Sequence, residues 1–230
     1  MNILTIIPAK LGSTRLPRKN ILPLGGRPLL EWTIQSALDA GCCGEVMVST
    51  ESEEVAAIAR RAGVLVPFMR PDYLSHDPYQ AYEVCEHVLD EYEKAGKRFD
   101  TLILLLPTSP FRSPEDIRRT LALYRREGVT AGISASLFSA DIYSAHSLGE
   151  GGAITPIFPE MFRAPAHERP APYELNGAVT IVSVDVFRKQ RSFCGDHPAA
   201  YVMDWPRCLD IDNREDLEYA AYLLDKGVIG

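Results

Sequence analysis

The amino-acid sequence predicts an α/β fold built on a doubly wound, mostly parallel sheet, and three observations carry that prediction. Apolar runs of strand length alternate with amphipathic stretches of helical period over residues 1–137. One run, Thr101–Leu106, is continuously apolar, the mark of a central strand covered on both faces. The 230 residues, 46% hydrophobic and 24% charged, suit one domain that buries roughly 70–75% of its unfolded surface without disulfides or metal.

Taken in order, Ile3–Ile7 reads as a buried strand, followed by a glycine- and proline-rich loop to Pro28. Leu29–Ala40 has helical spacing, with Leu29, Leu30, Ile34, Ala37 and Leu38 on one side. Val46–Ser49 is a second strand, and Glu53–Ala62 a helix that opens on acids, as the helix dipole favours. A short third strand is expected at Val64–Pro67 and a helix over Ala81–Ala95. After Thr101–Leu106, Ser113 caps a helix with Pro114 at its first position, running to Arg126. Ala131–Leu137 is the next strand. From Phe138 to Tyr173 the rhythm stops and prolines gather, so residues 138–173 are expected to leave the core as a small subdomain or dimer arm. Strands Ala178–Ser183 and Ala200–Met203 and a closing helix Glu215–Lys226 complete the chain.

The charge is uneven. The formal net charge is -7, yet the first thirty residues hold five bases (Lys10, Arg15, Arg18, Lys19 and Arg27) and no acid. A nucleic-acid binder would be basic over a whole face, so that class is excluded and a small anionic ligand is favoured. The five cysteines, with no C-x-x-C, suggest neither a disulfide framework nor a cysteine-rich zinc site. The start lacks the basic region of a signal peptide, and no apolar run approaches the ~20 residues that span a bilayer. A soluble, cytoplasmic protein is expected.

In a doubly wound sheet, ligands sit beyond the carboxyl ends of the strands. The loop after the first strand runs Pro8-Ala9-Lys10-Leu11-Gly12-Ser13-Thr14-Arg15-Leu16-Pro17-Arg18-Lys19-Asn20. Gly12 permits a tight turn, backbone N–H groups with Ser13 and Thr14 suit phosphate oxygens, and Lys10, Arg15 and Lys19 suit a triphosphate. It is neither a Walker A loop nor G-x-G-x-x-G. Asp210 and Asp212, two residues apart, would present their carboxylates on one side if the segment is a strand. Beside phosphates such a pair suits Mg²⁺, which takes oxygen ligands.

Five blocks in order carry a family resemblance: IIPAKLGSTRLPRKNILPLGGRPLLEWTIQSAL, VMVSTESEEVAAIARRAGVLVPFMRP, LLLPTSPFRSPEDI, ELNGAVTI and CLDIDNREDLEYA. Together they resemble the acylneuraminate cytidylyltransferases, the CMP-sialic acid synthetases, while Gly12–Pro17 is partly like the CMP-KDO synthetases. The resemblance implies a Rossmann-like nucleotide-diphospho-sugar transferase fold that dimerises through a small excursion. It implies that CTP and a 2-keto sugar acid (sialic, legionaminic or pseudaminic) give a CMP-sugar and pyrophosphate, with Mg²⁺ as cofactor.

By position, the resemblance assigns Lys10, Gly12, Ser13, Arg15, Lys19, Asn20 and Arg70 to the nucleotide. Lys19, Asp210 and Arg15 are the expected catalytic residues, and Asp210 and Asp212 the metal ligands. The sugar acid is assigned to Leu106, Thr108, Ser109, Arg169, Asn176 and Gly177. Leu106 stands where the family commonly has Gln, Thr180 where it has Tyr, Lys10 where it has Arg and Glu51 where it has Asp. The phosphate half thus follows the family and the sugar half departs from it. A KDO-type or other sugar nucleotidyltransferase, and a nucleotide-binding homologue without turnover, are the alternatives left open by these departures.

Overall fold

The computed structural model describes residues 1–138 and 140–229, so Ser139 of the 138–173 segment and Gly230 lie outside the described residues. The elements are β1 (Ile3–Pro8), the small hairpin β2 (Pro23–Leu24) and β3 (Arg27–Pro28), α1 (Leu29–Ala40), β4 (Glu45–Ser49), α2 (Glu53–Arg61), α3 (Ala81–Lys94), β5 (Thr101–Leu104), α4 (Pro114–Tyr124) and β6 (Ala131–Leu137). There follow β7 (His146–Leu148), β8 (Ile154–Pro156), α5 (Pro159–Arg163), β9 (Tyr173–Ser183), α6 (Val184–Gln190), β10 (Pro198–Val202) and α7 (Arg214–Asp225).

Six strands form the central sheet in the order β10-β6-β9-β5-β1-β4. Pairs β1–β4, β1–β5 and β10–β6 are parallel, and β9 runs antiparallel to both neighbours. β1 alternates Ile3 and Ile7 into the core beneath α1, α2 and α4, and Leu4 and Ile6 into the core beneath α3 and α6. Both faces are covered, as the apolar runs require. The chain leaves β1 for β4 on one side and later returns to β5 on the other, so the carboxyl end of β1 is where the winding reverses.

Helix starts follow their caps. Ser52 accepts from Val55 N, Ser113 and Asp116 cap α4 reciprocally, and Asn213 with Asp216 does the same for α7. A third core of Leu16, Leu24, Leu29, Phe111, Ile211, Leu217 and Leu223 ties the cationic loop to α7 and to the loop after β5.

Some elements differ from expectation. Val64–Pro67 makes only a single bridge, Leu65 to Met47, because the chain turns away after two backbone bonds to β4. β9 starts five residues earlier than Ala178, since its first half pairs with the end of β6 as far as Leu137↔Tyr173. Leu209–Asp212 joins no sheet, so the expected strand is absent, although Ile211 is buried between the two acids in sequence. Residues 138–173 hold the β7–β8 hairpin and α5 apart from the central sheet.

Candidate active site

The carboxyl ends of β1 and β5 open into a cleft of about 370 Å³ lined by Lys10, Ser13, Arg15, Lys19, Asn20, Arg70, Leu106 and Thr108, among others. Six of the seven residues expected to hold a nucleotide therefore converge on one hollow. Gly12 lies next door with Glu51 and His76. It has open space around it and no left-handed backbone, so the expected tight turn does not depend on its being glycine.

The cationic loop is held from behind. Asn20 donates to Lys10 O (2.8 Å) and Lys10 Nζ to Ser75 O (3.2 Å). Glu51, at the end of β4, is a hub that sequence reasoning passed over. Its carboxylate accepts from Leu11 N (2.7 Å), Arg70 (2.6 Å) and Ser75 Oγ (2.9 Å). Burial alone would raise the Glu51 carboxyl, but these bonds outweigh it and hold the group below its ordinary value. Arg70 is itself buried, and Glu51 is its counter-charge.

Across the cleft, Asp212 binds Lys19 (2.9 Å) and Arg15 (2.7 Å). Partial burial opposes its ionisation, and the two cations more than offset that, so its carboxyl lies below the ordinary range. Asp210 is different. Its side chain is open to solvent, but the surrounding cleft walls and then the charge of Asp212 push its carboxyl up, against a bond from Thr108. Two carboxylates this close favour a cation between them.

The residues expected at the sugar divide. Leu106 and Thr108 line the first cleft, while Asn176 and Asp210 line a neighbouring hollow of about 770 Å³ with Leu175, Met203 and Trp205. The two meet where Ile211 N, next to Asp210, donates to Thr108 O (2.8 Å). Gly177 has φ +69°, and a Cβ there would lie 2.9 Å from Leu106 Cδ1, so Leu106 packs directly over it. Asn176 Oδ1 is engaged by Ser134 Oγ (2.6 Å) and Ala178 N (3.2 Å). Ser109 is fully buried beneath the cleft rather than lining it. Below, the buried Arg112 guanidinium donates to Ala178 O (2.7 Å) and Leu106 O (3.3 Å), fastening both walls. Burial pushes its pKa down to about 10.

Arg169 is a correction. Its guanidinium binds Asp141 (2.8 Å), Ala164 O and Phe162 O, so all three nitrogens are engaged within the 138–173 segment and none reaches either hollow. Tyr73 and Tyr79 are exposed against each other, and Tyr79 lines the cleft with Gln80 and Ala81. Among the described residues, no three His, Cys, Asp or Glu side chains gather as a self-contained metal site.

A family model described as cytidylyltransferase matches residues 4–227. The chain is 32% identical over 229 residues to a CMP-N,N'-diacetyllegionaminic acid synthase of Legionella pneumophila, covering 98% of this chain and 97% of the relative. It is 32% identical to an N-acylneuraminate cytidylyltransferase of Escherichia coli, covering 97% of this chain and 52% of that longer protein. It is 26% identical to a pseudaminic acid cytidylyltransferase of Campylobacter jejuni, covering 97% of this chain and 96% of the relative. Among solved structures, a CMP:2-keto-3-deoxy-manno-octonic acid synthetase complexed with CTP superposes with TM-score 0.73 at 17% identity, covering 99% of this chain and 100% of that one. A 4-diphosphocytidyl-2C-methyl-D-erythritol synthase from Anaerococcus prevotii gives 0.66 at 13% identity, covering 97% and 99%. With a family model spanning nearly the whole chain and relatives of matching length, the protein belongs to the cytidylyltransferase family and is a nucleotidyltransferase enzyme.

Proposed function

We propose that the protein joins the CMP part of CTP to a nonulosonic 2-keto sugar acid. The observation that carries this reading is the convergence of Lys10, Ser13, Arg15, Lys19 and Arg70 opposite Asp210 and Asp212. The anomeric hydroxyl of the acid attacks the α-phosphorus of CTP in line. The bond from that phosphorus to the bridging oxygen breaks, pyrophosphate leaves, and the hydroxyl proton passes to solvent or a base. Such a transfer needs positioning and charge neutralisation more than covalent catalysis. Lys10, Arg15 and Lys19 supply positive charge at the triphosphate, Ser13 and Asn20 hold its loop, and Arg70 faces the nucleoside end. Asp210 and Asp212 would hold Mg²⁺. Bound there, the ion would neutralise phosphate charge and make the α-phosphorus more electrophilic.

The sugar acid is read into the second hollow, where Asp210 meets Asn176 and an apolar lining. The matching lengths of the legionaminic and pseudaminic relatives support acids of that class over sialic acid. Pyrophosphate release from CTP, measured across N-acetylneuraminic, N,N'-diacetyllegionaminic, pseudaminic and 3-deoxy-manno-octonic acids, tests this. Turnover with a nonulosonic acid is expected. Turnover with the octonic acid alone would make it a KDO-type enzyme, and CTP binding without release would make it a binding module. Leu106→Gln is expected to change the ranking of acids while leaving the CTP KM unchanged. A change in the CTP KM alone would remove Leu106 from the sugar side.

We further infer a cytoplasmic homodimer. Leu148, Ile154, Ile157 and Phe162 expose apolar surface on the 138–173 arm, more than a solvated hairpin requires. All five cysteines are free, in keeping with a reducing compartment. No helix among the described residues is long and apolar enough to cross a membrane. Light scattering should give twice the monomer mass, and Ile154→Asp should return the monomer. A monomeric wild type would sink this part of the reading.

A further inference from the structure

We propose that the Asp116–Arg207 ion pair positions Asp210, setting how the segment after β10 presents that carboxylate to the cleft. The inference rests on the reading of Asp210 as a Mg²⁺ ligand, and its test separates the two.

Asp116 does more than a cap requires. As the third residue of α4 it accepts from Ser113 N and Ser113 Oγ, both at 2.8 Å, which completes the capping box. A capping acid ordinarily leaves its other oxygen in water. Here the residue is 1% exposed, and Oδ1 accepts instead from Tyr201 OH (3.2 Å) on β10 and from Arg207 Nε (3.3 Å) in the following turn. A buried carboxylate must be compensated, and the cation that pairs with it among the described residues comes from 91 residues away.

The segment that Arg207 belongs to is held at its two ends, by buried Met203 and by Leu209 and Ile211 on the third core, with few backbone bonds in between. Met203 N donates to Ala135 O (2.8 Å) as the sheet ends, and the next backbone bond out of the segment is Ile211 N to Thr108 O (2.8 Å). Between them, among the described residues, the only backbone bond is internal, Leu209 N to Pro206 O. The polar side-chain tether of the stretch is Arg207 on Asp116. That ion pair anchors it to a helix packed against α1, β6 and β10. Arg207 also reaches Asp204 (3.4 Å), so one planar guanidinium spans the turn that leads to Asp210. Lysine offers no such fork.

Arg207→Gln in the full-length protein tests this; the side chain is partly exposed, and because the buried Asp116 keeps Tyr201 and its cap donors but loses its cation, a lower melting temperature is expected beside the kinetic effect. Pyrophosphate release is expected to fall about 10- to 100-fold, the range for an outer partner of a metal ligand. The Mg²⁺ concentration for half-activation should rise, and CTP binding measured without Mg²⁺ should not change. Arg207→Lys should recover part of the loss. Independently of turnover, hydrogen exchange at the Ile211 amide should quicken by about tenfold or more while α4 and β10 stay protected. Unchanged Ile211 protection overturns the proposal, as does a loss confined to melting temperature with normal kinetics. If the wild type releases no pyrophosphate with any acid, the functional reading fails, and the exchange measurement alone then decides whether the pair holds the segment.

Discussion

Asp210→Ala should reduce Mg²⁺-dependent pyrophosphate release on the order of a thousandfold, the scale of losing a group that stabilises transition-state charge. The expectation is sharp because of how the two acids differ. Asp210 is solvent-open and belongs to no ion pair among the described residues, so its removal leaves Lys19, Asp212 and Arg15 bonded as before. Melting temperature and Mg²⁺-free CTP binding should therefore stay at wild-type values. Asp212→Ala should behave otherwise. It strips the buried Lys19 of its partner, and both activity and melting temperature should drop. Undiminished turnover in Asp210→Ala would take that residue out of the metal site.

The second large effect is structural. Glu51→Gln leaves the buried Arg70 guanidinium without a counter-charge, beside an Nε that already has no partner among the described residues. Breaking one side of such a pair costs about 3 kcal/mol or more. At this size that lowers the melting temperature by roughly 6–12 °C. CTP affinity should fall with it, since Leu11 and Arg70 both hang on the same carboxylate. The pH dependence follows from the direction of the Glu51 shift. Its folded-state pKa lies below the ordinary 4.5, so its stabilisation is fully present above that value and is lost as pH falls through the lower folded value. Melting curves from pH 7 down to pH 3 should show this acid-side loss in the wild type and a shallower one in Glu51→Gln. Equal slopes would mean that Glu51 is not the hub its bonds suggest.

The sheet and the cationic loop were legible because their signals are local. An acid-free run of bases at a strand end needs no partner to be noticed, and Lys10, Arg15 and Lys19 do converge. The Asp210–Asp212 spacing was legible too, although the segment joins no sheet. What escaped were contacts made across the chain. Glu51 looked like a mere exchange for Asp, because Leu11, Arg70 and Ser75 lie 40, 19 and 24 residues from it. Asp116, three residues after the Ser113 cap, gives no sign in sequence of Tyr201 and Arg207, 85 and 91 residues on. Arg169 failed for the converse reason: a free-looking arginine in a proline-rich stretch gives no hint that carbonyls 5 and 7 residues upstream will claim it.

The pairing Leu137↔Tyr173 sets the terms on which the arm can change. The segment leaves the domain on one strand and re-enters on its hydrogen-bonded neighbour, so its two ends are already held together by the sheet. Lengthening such a closed loop costs only about 0.6 kcal/mol per doubling. Residues there can be inserted, deleted or exchanged without altering strand order or the phosphate end of the cleft. A lineage can thus retune whatever the arm touches while the transfer chemistry stays on a fixed frame.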